Sequence, residues 1–284
     1  MNNFGDIPTK YSIYRASKIV ILPVPFDFTS TWIKGANKGP KAIIEASANM
    51  ELYDIETDSE VYKKGIYTAQ PIKAKNPQSL VKQVGREAEK HIKKNKLLVV
   101  VGGEHSVSIG SIWAHINHYP DVSVLQLDAH SDLRDSFKNS KYNHACVMAR
   151  IKNRCPIVQV GIRSMDISEK QKIDKDRCFF AQDIFGKKNW INYIIKKLTE
   201  CVYVTVDLDV FDPSIMPSVG TPEPGGLGWY DVLELLKEVA RQKRLIGFDV
   251  VELCPSKINK ASDFLAAKLI YKILSYKFES VEQL

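Results

Sequence analysis

The 284-residue sequence has no CxxC pair, no uninterrupted apolar run of ~18 residues, no block of about five basic residues and no Pro/Ser-rich linker. Its five cysteines, Cys146, Cys155, Cys178, Cys201 and Cys254, are odd in number and unpaired in spacing, which excludes a disulfide framework or zinc knuckle. They read as buried, reduced thiols of a cytoplasmic protein. The opening "MNNFGDIPTKYSIYRASK" lacks an apolar signal core, so neither export nor membrane insertion is expected. The formal charge of +7 would suit a nucleic-acid partner, but the lysines are scattered rather than clustered with aromatics along one face. They read as a solvated surface. With no linker, repeat or low-complexity tract, and with 44% hydrophobic and 26% charged residues, a single domain over residues 1–284 with a sizeable core is expected.

Short runs rich in Val, Ile and Leu recur, each bounded by Gly, Asp or Pro: "KIVILPVP", "KLLVVVGGEHS", "VSVLQLDAH", "PIVQVGIRS", "CVYVTVDLD" and "RLIGFDVVELCP". These predict strands buried on both faces. Between and after them, "NPQSLVKQVGREAEKHIKK", "GWYDVLELLKEVARQ" and "ASDFLAAKLIYKILSYKF" carry helical spacing. The alternation is that of an α/β protein with a largely parallel sheet covered by helices. "FDPSIMPSVGTPEPGGLGWYD" carries too much Pro and Gly for regular structure until a helix opens near Asp231.

The polar groups that matter fall at strand ends, where ligands bind in open α/β sheets. "LLVVVGG" runs into Glu104 and His105, "VSVLQL" into Asp128, His130 and Asp132, "VYVTV" into Asp207 and Asp209, and "LIGF" into Asp249 and Glu252. In extended chain, Asp128, His130 and Asp132 project to one side, as do Asp207 and Asp209. So many carboxylates converging without a cation would have to take up protons, and four aspartates with two histidines suit two metals. Hard oxygen donors, a minority of imidazoles and no thiolate favour Mn²⁺ in an octahedral setting, although nickel, cobalt or zinc bind such donors more tightly. A metal pair deprotonates water near neutral pH, which defines a hydrolase. Two divalent cations, four aspartates and a hydroxide sum to about −1, complementary to a guanidinium and repulsive to a phosphate ester. His91, His115 and His118, in helix-like surface segments, read as structural, and Glu104 as a group that orients the loop or a ligand.

Together "GGEHS", "LDAHSDLRD", "NHACVMARI", "TVDLDVFDP", "GTPEPGG" and "GFDVVELCP" resemble the ureohydrolase family of arginases and agmatinases. The early "PVPFDFTSTWIKGANKGPKAIIEAS" and late "FLAAKLIYKIL" extend the likeness over nearly the whole chain. The resemblance implies a three-layer α/β/α fold with a mainly parallel eight-stranded sheet, and a binuclear manganese centre that hydrolyses a guanidino group to an amine and urea. It assigns His105 and Asp132 to one metal, His130 and Asp209 to the other, and Asp128 and Asp207 to both. His144 corresponds to the proton-shuttle histidine and Glu252 to the carboxylate that grips the guanidinium, with Asp249 supporting from behind. It also implies a homo-oligomer, trimer or hexamer.

For the substrate, "SDLRD…NHACVMARI" is closer to agmatinases, and the arginase-type Asn after the third metal ligand is replaced by the neighbourhood of Arg134. Agmatine, giving putrescine and urea in polyamine biosynthesis, is the expected substrate. The alternatives are aminopropylagmatine, guanidinobutyrate, guanidinopropionate or arginine, a non-catalytic metal-binding regulator, or a deacetylase-like hydrolase with one zinc. Arg134 reads either as a contact for an acidic tail or as a salt-bridge partner. Trp32, Ile33, Met216 and Ser218 depart from the usual agmatinase residues and bear on the substrate tail.

Overall fold

The six apolar runs become the interior of one sheet, and two further strands form its edges. The computed structural model describes residues 3–279. The strands are β1 (Ile19–Val24), β2 (Ile66–Thr68), β3 (Leu97–Gly102), β4 (Val122–Leu127), β5 (Ile157–Ile162), β6 (Cys178–Phe180), β7 (Cys201–Asp207) and β8 (Arg244–Val251). Their order is β2-β1-β3-β8-β7-β4-β5-β6, with every pairing parallel. The edge strands β2 and β6 have three residues each, too few for a period-two signal in sequence, and short edges limit unwanted strand addition.

Alternate residues of each inner strand face opposite helical layers. Ile19, Ile21, Val99, Val101, Val204 and Val250 pack with residues of the helices Gly39–Ser47, Trp190–Lys197, Trp229–Gln242 and Ala261–Phe278. Val20, Leu22, Leu98 and Val100 face the helix Pro77–Ile92, while Val122, Val124 and Tyr203 face Ser108–His118 and Val147–Ile151. Burial on both faces explains why these strands read as continuous apolar runs rather than as alternating ones. The three predicted helices form at Pro77–Ile92, Trp229–Gln242 and Ala261–Phe278. The first starts at Asn76, whose side chain accepts from Ser79 N at 2.9 Å, with Pro77 inside the first turn.

Two expectations are corrected. His91 and His115 are buried rather than on the surface, and only His118 of the three is exposed. The His115 ring fills the space left by Gly247 on β8, where a Cβ would come within 2.4 Å of its Nε2. Its Nδ1 donates to the Ser111 carbonyl at 2.8 Å, and burial lowers its pKa to about 4. All five cysteines are free, but Cys155 and Cys254 are half-buried, not enclosed like the other three. No helix among the described residues is long and apolar enough to cross a membrane.

Candidate metal centre and substrate cavity

Residues far apart in sequence meet because the four strands that carry them, β3, β8, β7 and β4, are consecutive in the sheet. Register then levels their ends: Leu127 pairs with Val206, Val206 with Val250, and Val250 with Val101. The next residues on β4 and β7 are Asp128 and Asp207, about one strand spacing (~4.8 Å) apart. Behind this row, Gly103 passes so near Phe26 that a Cβ would lie 1.9 Å from its carbonyl oxygen, so the turn into Glu104 and His105 requires glycine.

The structure brings all six proposed ligands together, though not by strand alternation. β4 ends at Leu127, and Asp128 to Asp132 form an irregular loop in which Asp132 has a φ of +54°. Ligand atoms of His105, Asp128 and Asp132 lie within 4.8 Å of one another, and so do those of Asp128, His130 and Asp209. His105 Nδ1 is 3.1 Å from Asp132 Oδ2, 3.2 Å from Asp128 Oδ2 and 3.4 Å from Asp207 Oδ2. His130 Nδ1 is 2.9 Å from Asp209 Oδ2. Asp128 therefore belongs to both groups, while Asp207 stands on the His105 side and accepts from Asp209 N at 3.0 Å.

The donor set fits a cation. His105 Nδ1 and Asp132 Oδ2 are buried and make no hydrogen bond, although they face each other. On the far side of the ring, His105 Nε2 lies 2.9 Å from Thr205 Oγ1, and that hydroxyl donates to Asp249 Oδ1 at 2.6 Å. Thr205 can then only accept from the ring, so Nε2 carries the proton and Nδ1 keeps its lone pair toward the carboxylates. Tyr203 donates to the other oxygen of Asp249 at 2.8 Å. Asp249 thus supports the site through Thr205.

Charge in the cluster is in conflict without a cation. Burial first, then the Asp128 charge, raises Asp132 to about 7, and burial with Asp209 and Asp128 raises Asp207 well above the carboxylate range. Burial would raise Asp128 too, but its contacts with His105 and His130 hold it low. Burial works against charge on His130, yet Asp209 and Asp128 push it up to about 12. Carboxylates this close and this buried suit a divalent ion, whose charge would offset theirs.

A cavity of about 320 Å³ opens above this floor. Glu252 enters it from the end of β8 with a φ of +68°, its N–H bound to the Gly103 carbonyl at 2.8 Å and its Oε1 accepting from His105 N at 2.6 Å. Left-handed geometry at a residue with a side chain, here as at Asp132, costs free energy and clusters at functional sites. His144 lines the wall, with Thr29 Oγ1 3.1 Å from its Nδ1. Burial, then the charges of His130 and His105, lowers its pKa to about 4. Glu104, fully buried, accepts from Thr29 N and Oγ1 and from Ser106 Oγ, as expected of an orienting group, and burial raises it to about 7.

Farther out, Arg134 lines the cavity with Nε 3.5 Å from Glu169, Nη2 3.8 Å from Asp166, and its guanidinium 4.3 Å above the Phe137 ring. Trp32, 75% exposed, and Ile33 form the mouth with Met165; Met216 is buried in the core, and Ser218, also buried, accepts from Cys254 N through its carbonyl.

Several supporting residues escaped the sequence reading. Gln126 donates to Asp128 Oδ2 at 2.7 Å and to the His130 carbonyl at 3.2 Å, and Gln159 donates to Gln126 at 2.7 Å and to the Ser131 carbonyl at 2.8 Å. Arg163 reaches the Asp209 carbonyl at 2.6 Å and the Glu223 carbonyl at 2.9 Å. Glu169 accepts from Ser131 Oγ at 2.7 Å and Leu133 N at 2.8 Å. A signal existed for the glutamines: each is a polar residue inside an apolar strand run, "VLQL" and "VQVG".

The family model described as "Arginase family" matches residues 17–275. The N(1)-aminopropylagmatine ureohydrolase of Synechocystis sp. is 37% identical over 94% of this chain and 91% of its own length. The agmatinase of Pyrococcus horikoshii is 31% identical over 90% of each. Among solved structures, the agmatine ureohydrolase of Thermoplasma volcanium superposes with a TM-score of 0.87 at 30% identity, covering 98% of this chain and 94% of that one.

Proposed function

Since this chain belongs to the arginase family of ureohydrolases, we propose that its site hydrolyses the guanidino group of agmatine, releasing urea and putrescine. The observation that carries the reading is the level row of strand ends, which sets His105, Asp128, His130, Asp132, Asp207 and Asp209 at the floor of a cavity walled by Glu252 and His144. His105 and Asp132 would hold one divalent ion, His130 and Asp209 the other, with Asp128 shared and Asp207 beside His105. Manganese is the preferred ion for this oxygen-rich donor set. When bound, the metal pair supplies an activated water near neutral pH.

The rest of the work falls to the chain. Each Glu252 oxygen has two lone pairs, so accepting one N–H from His105 leaves room for a two-pronged grip on a guanidinium. His144, neutral at rest, takes up a proton and passes it to the departing amine, which would otherwise leave as a strongly basic anion. Arg134 forms part of the wall toward the tail. Its charge is already opposed by Asp166 and Glu169, which supports a cationic or neutral tail over an acidic one.

The second reading is the N1-aminopropyl derivative of agmatine. The names of the 37%-identical relatives favour it, as does the cavity lining, which includes both the half-exposed Asp166 carboxylate and the Trp32 indole. We also propose a homotrimer or hexamer, which light scattering reads directly. The test is urea release by manganese-loaded protein from agmatine, aminopropylagmatine, arginine and guanidinobutyrate. Turnover of arginine with both amines inert would sink the substrate assignment, and a fully loaded protein inert on every compound would favour a regulator.

A further inference from the structure

We propose that Thr29, held by the buried Glu104, is the positioning residue that fixes the ring tautomer of His144. The proposal rests on the reading of His144 as proton donor. The hydroxyl of Thr29 has one proton and two lone pairs, and all three have an assigned partner. Its proton goes to Glu104 Oε2, which also accepts the Thr29 N–H at 2.7 Å. Its oxygen lies 3.1 Å from His144 N and 3.1 Å from His144 Nδ1. Because the Thr29 N–H, the Thr29 hydroxyl and the Ser106 hydroxyl all converge as donors on the Glu104 oxygens, the hydroxyl proton of Thr29 is committed there and Nδ1 is the donor to Thr29. Nδ1 therefore keeps its hydrogen in both charge states of the ring, and only Nε2, on the opposite edge, gains and loses a proton.

The consequence for the reaction is directional. In the donating step the Nε2–H bond of the imidazolium breaks, a hydrogen is added to the amine nitrogen as its bond to carbon breaks, and the neutral Nδ1–H imidazole remains. The ring rests in that neutral form and takes a proton from solvent at Nε2 before each such step. A ring free to flip would spend part of its time with the wrong nitrogen toward the cavity. Thr29 prevents this from two points on the same residue, the backbone N–H and the ring, while Glu104 is itself locked by Ser106 Oγ at 2.6 Å. Thr29 is 8% exposed and Glu104 fully enclosed, so water does not compete for these bonds.

The test is Thr29→Val, which keeps the branched shape and removes the hydroxyl, against Thr29→Ser, which keeps it. With the manganese-loaded enzyme, T29V is expected to lower kcat roughly tenfold to a hundredfold with KM and metal content unchanged. T29S should recover most of the rate, and T29V should add nothing in a His144→Asn background. Wild-type kcat in T29V alongside an impaired H144N overturns the proposal, as does full additivity of the two. An independent measurement needs no variant: nitrogen-15 shifts of His144 in zinc-loaded protein should report hydrogen on Nδ1, and hydrogen on Nε2 alone overturns it. An unimpaired H144N would instead count against the donor role, and the nitrogen shifts would still decide the Thr29 geometry.

Discussion

Thr205→Val cuts the link between His105 and Asp249 while keeping the side-chain shape. In the native protein the Thr205 hydroxyl accepts from His105 Nε2 at 2.9 Å and donates to Asp249 at 2.6 Å, and all three side chains are buried. The valine leaves a buried N–H without an acceptor, at about 1–3 kcal/mol, and takes a charge-directed bond from Asp249, at about 1.5–3 kcal/mol. Tyr203 still holds the other Asp249 oxygen, and one extra methyl of apolar surface offsets about 1 kcal/mol. A net loss of about 1.5–5 kcal/mol in the metal-free protein follows. The second effect is on the ion: outer partners of a ligating histidine typically carry about 10–100-fold in affinity. Urea denaturation of the metal-free protein reads the first quantity and manganese titration by calorimetry the second. Thr205→Ser should stay near wild type in both. If T205V binds manganese within twofold of wild type, the tautomer of His105 is not set by Thr205 and the fit of Nδ1 to a metal loses its support.

Two further perturbations test the frame around the site. Lys272, buried on the helix Ala261–Phe278, lies 3.0 Å from the buried Asp54 and 2.6 Å from Glu56; Lys272→Met leaves the Asp54 charge with only its Glu56 and Thr57 hydrogen bonds and should cost about 3 kcal/mol, read by denaturant midpoint, with Asp54→Asn partly restoring it. His115, neutral in the fold with a pKa lowered to about 4, contributes a penalty that is absent above its unfolded value near 6.5 and grows as pH falls, because the unfolded chain then binds a proton the fold refuses. The loss between about pH 7 and 4 approaches 3 kcal/mol, and His115→Gln should flatten the difference between denaturation midpoints at pH 7 and 5; equal slopes in the two proteins would refute the assignment.

The sheet was legible in sequence because a strand buried on both faces needs an apolar residue at nearly every position, and six such runs stand out between polar bounds. The edges were not, since three residues carry no measurable period and β2 and β6 are defined by neighbours rather than by their own composition. The surface placement of His115 failed for a related reason. Ser108–His118 shows a helix, but which of its residues meets β8 depends on Gly247, 132 positions after His115, leaving a gap of the right size.

At the site, residue types survived the step from sequence to structure better than the geometry inferred for them. Acids and imidazoles after apolar strands announced where the candidate ligands gather, because strand ends are where the chain leaves the apolar sheet. The alternation argument placed Asp128, His130 and Asp132 on one side, and they do converge, but through a loop with a left-handed residue at Asp132 held by Gln126, Gln159 and Glu169. A motif reports the groups that touch the reacting centre. The groups that aim them, such as Thr205, Thr29 and Gln126, are ordinary polar residues whose meaning appears only when their hydrogen bonds are traced to a ligand. Their side chains complete the donor and acceptor balance of an enclosed site, and that balance has no counterpart in spacing along the chain.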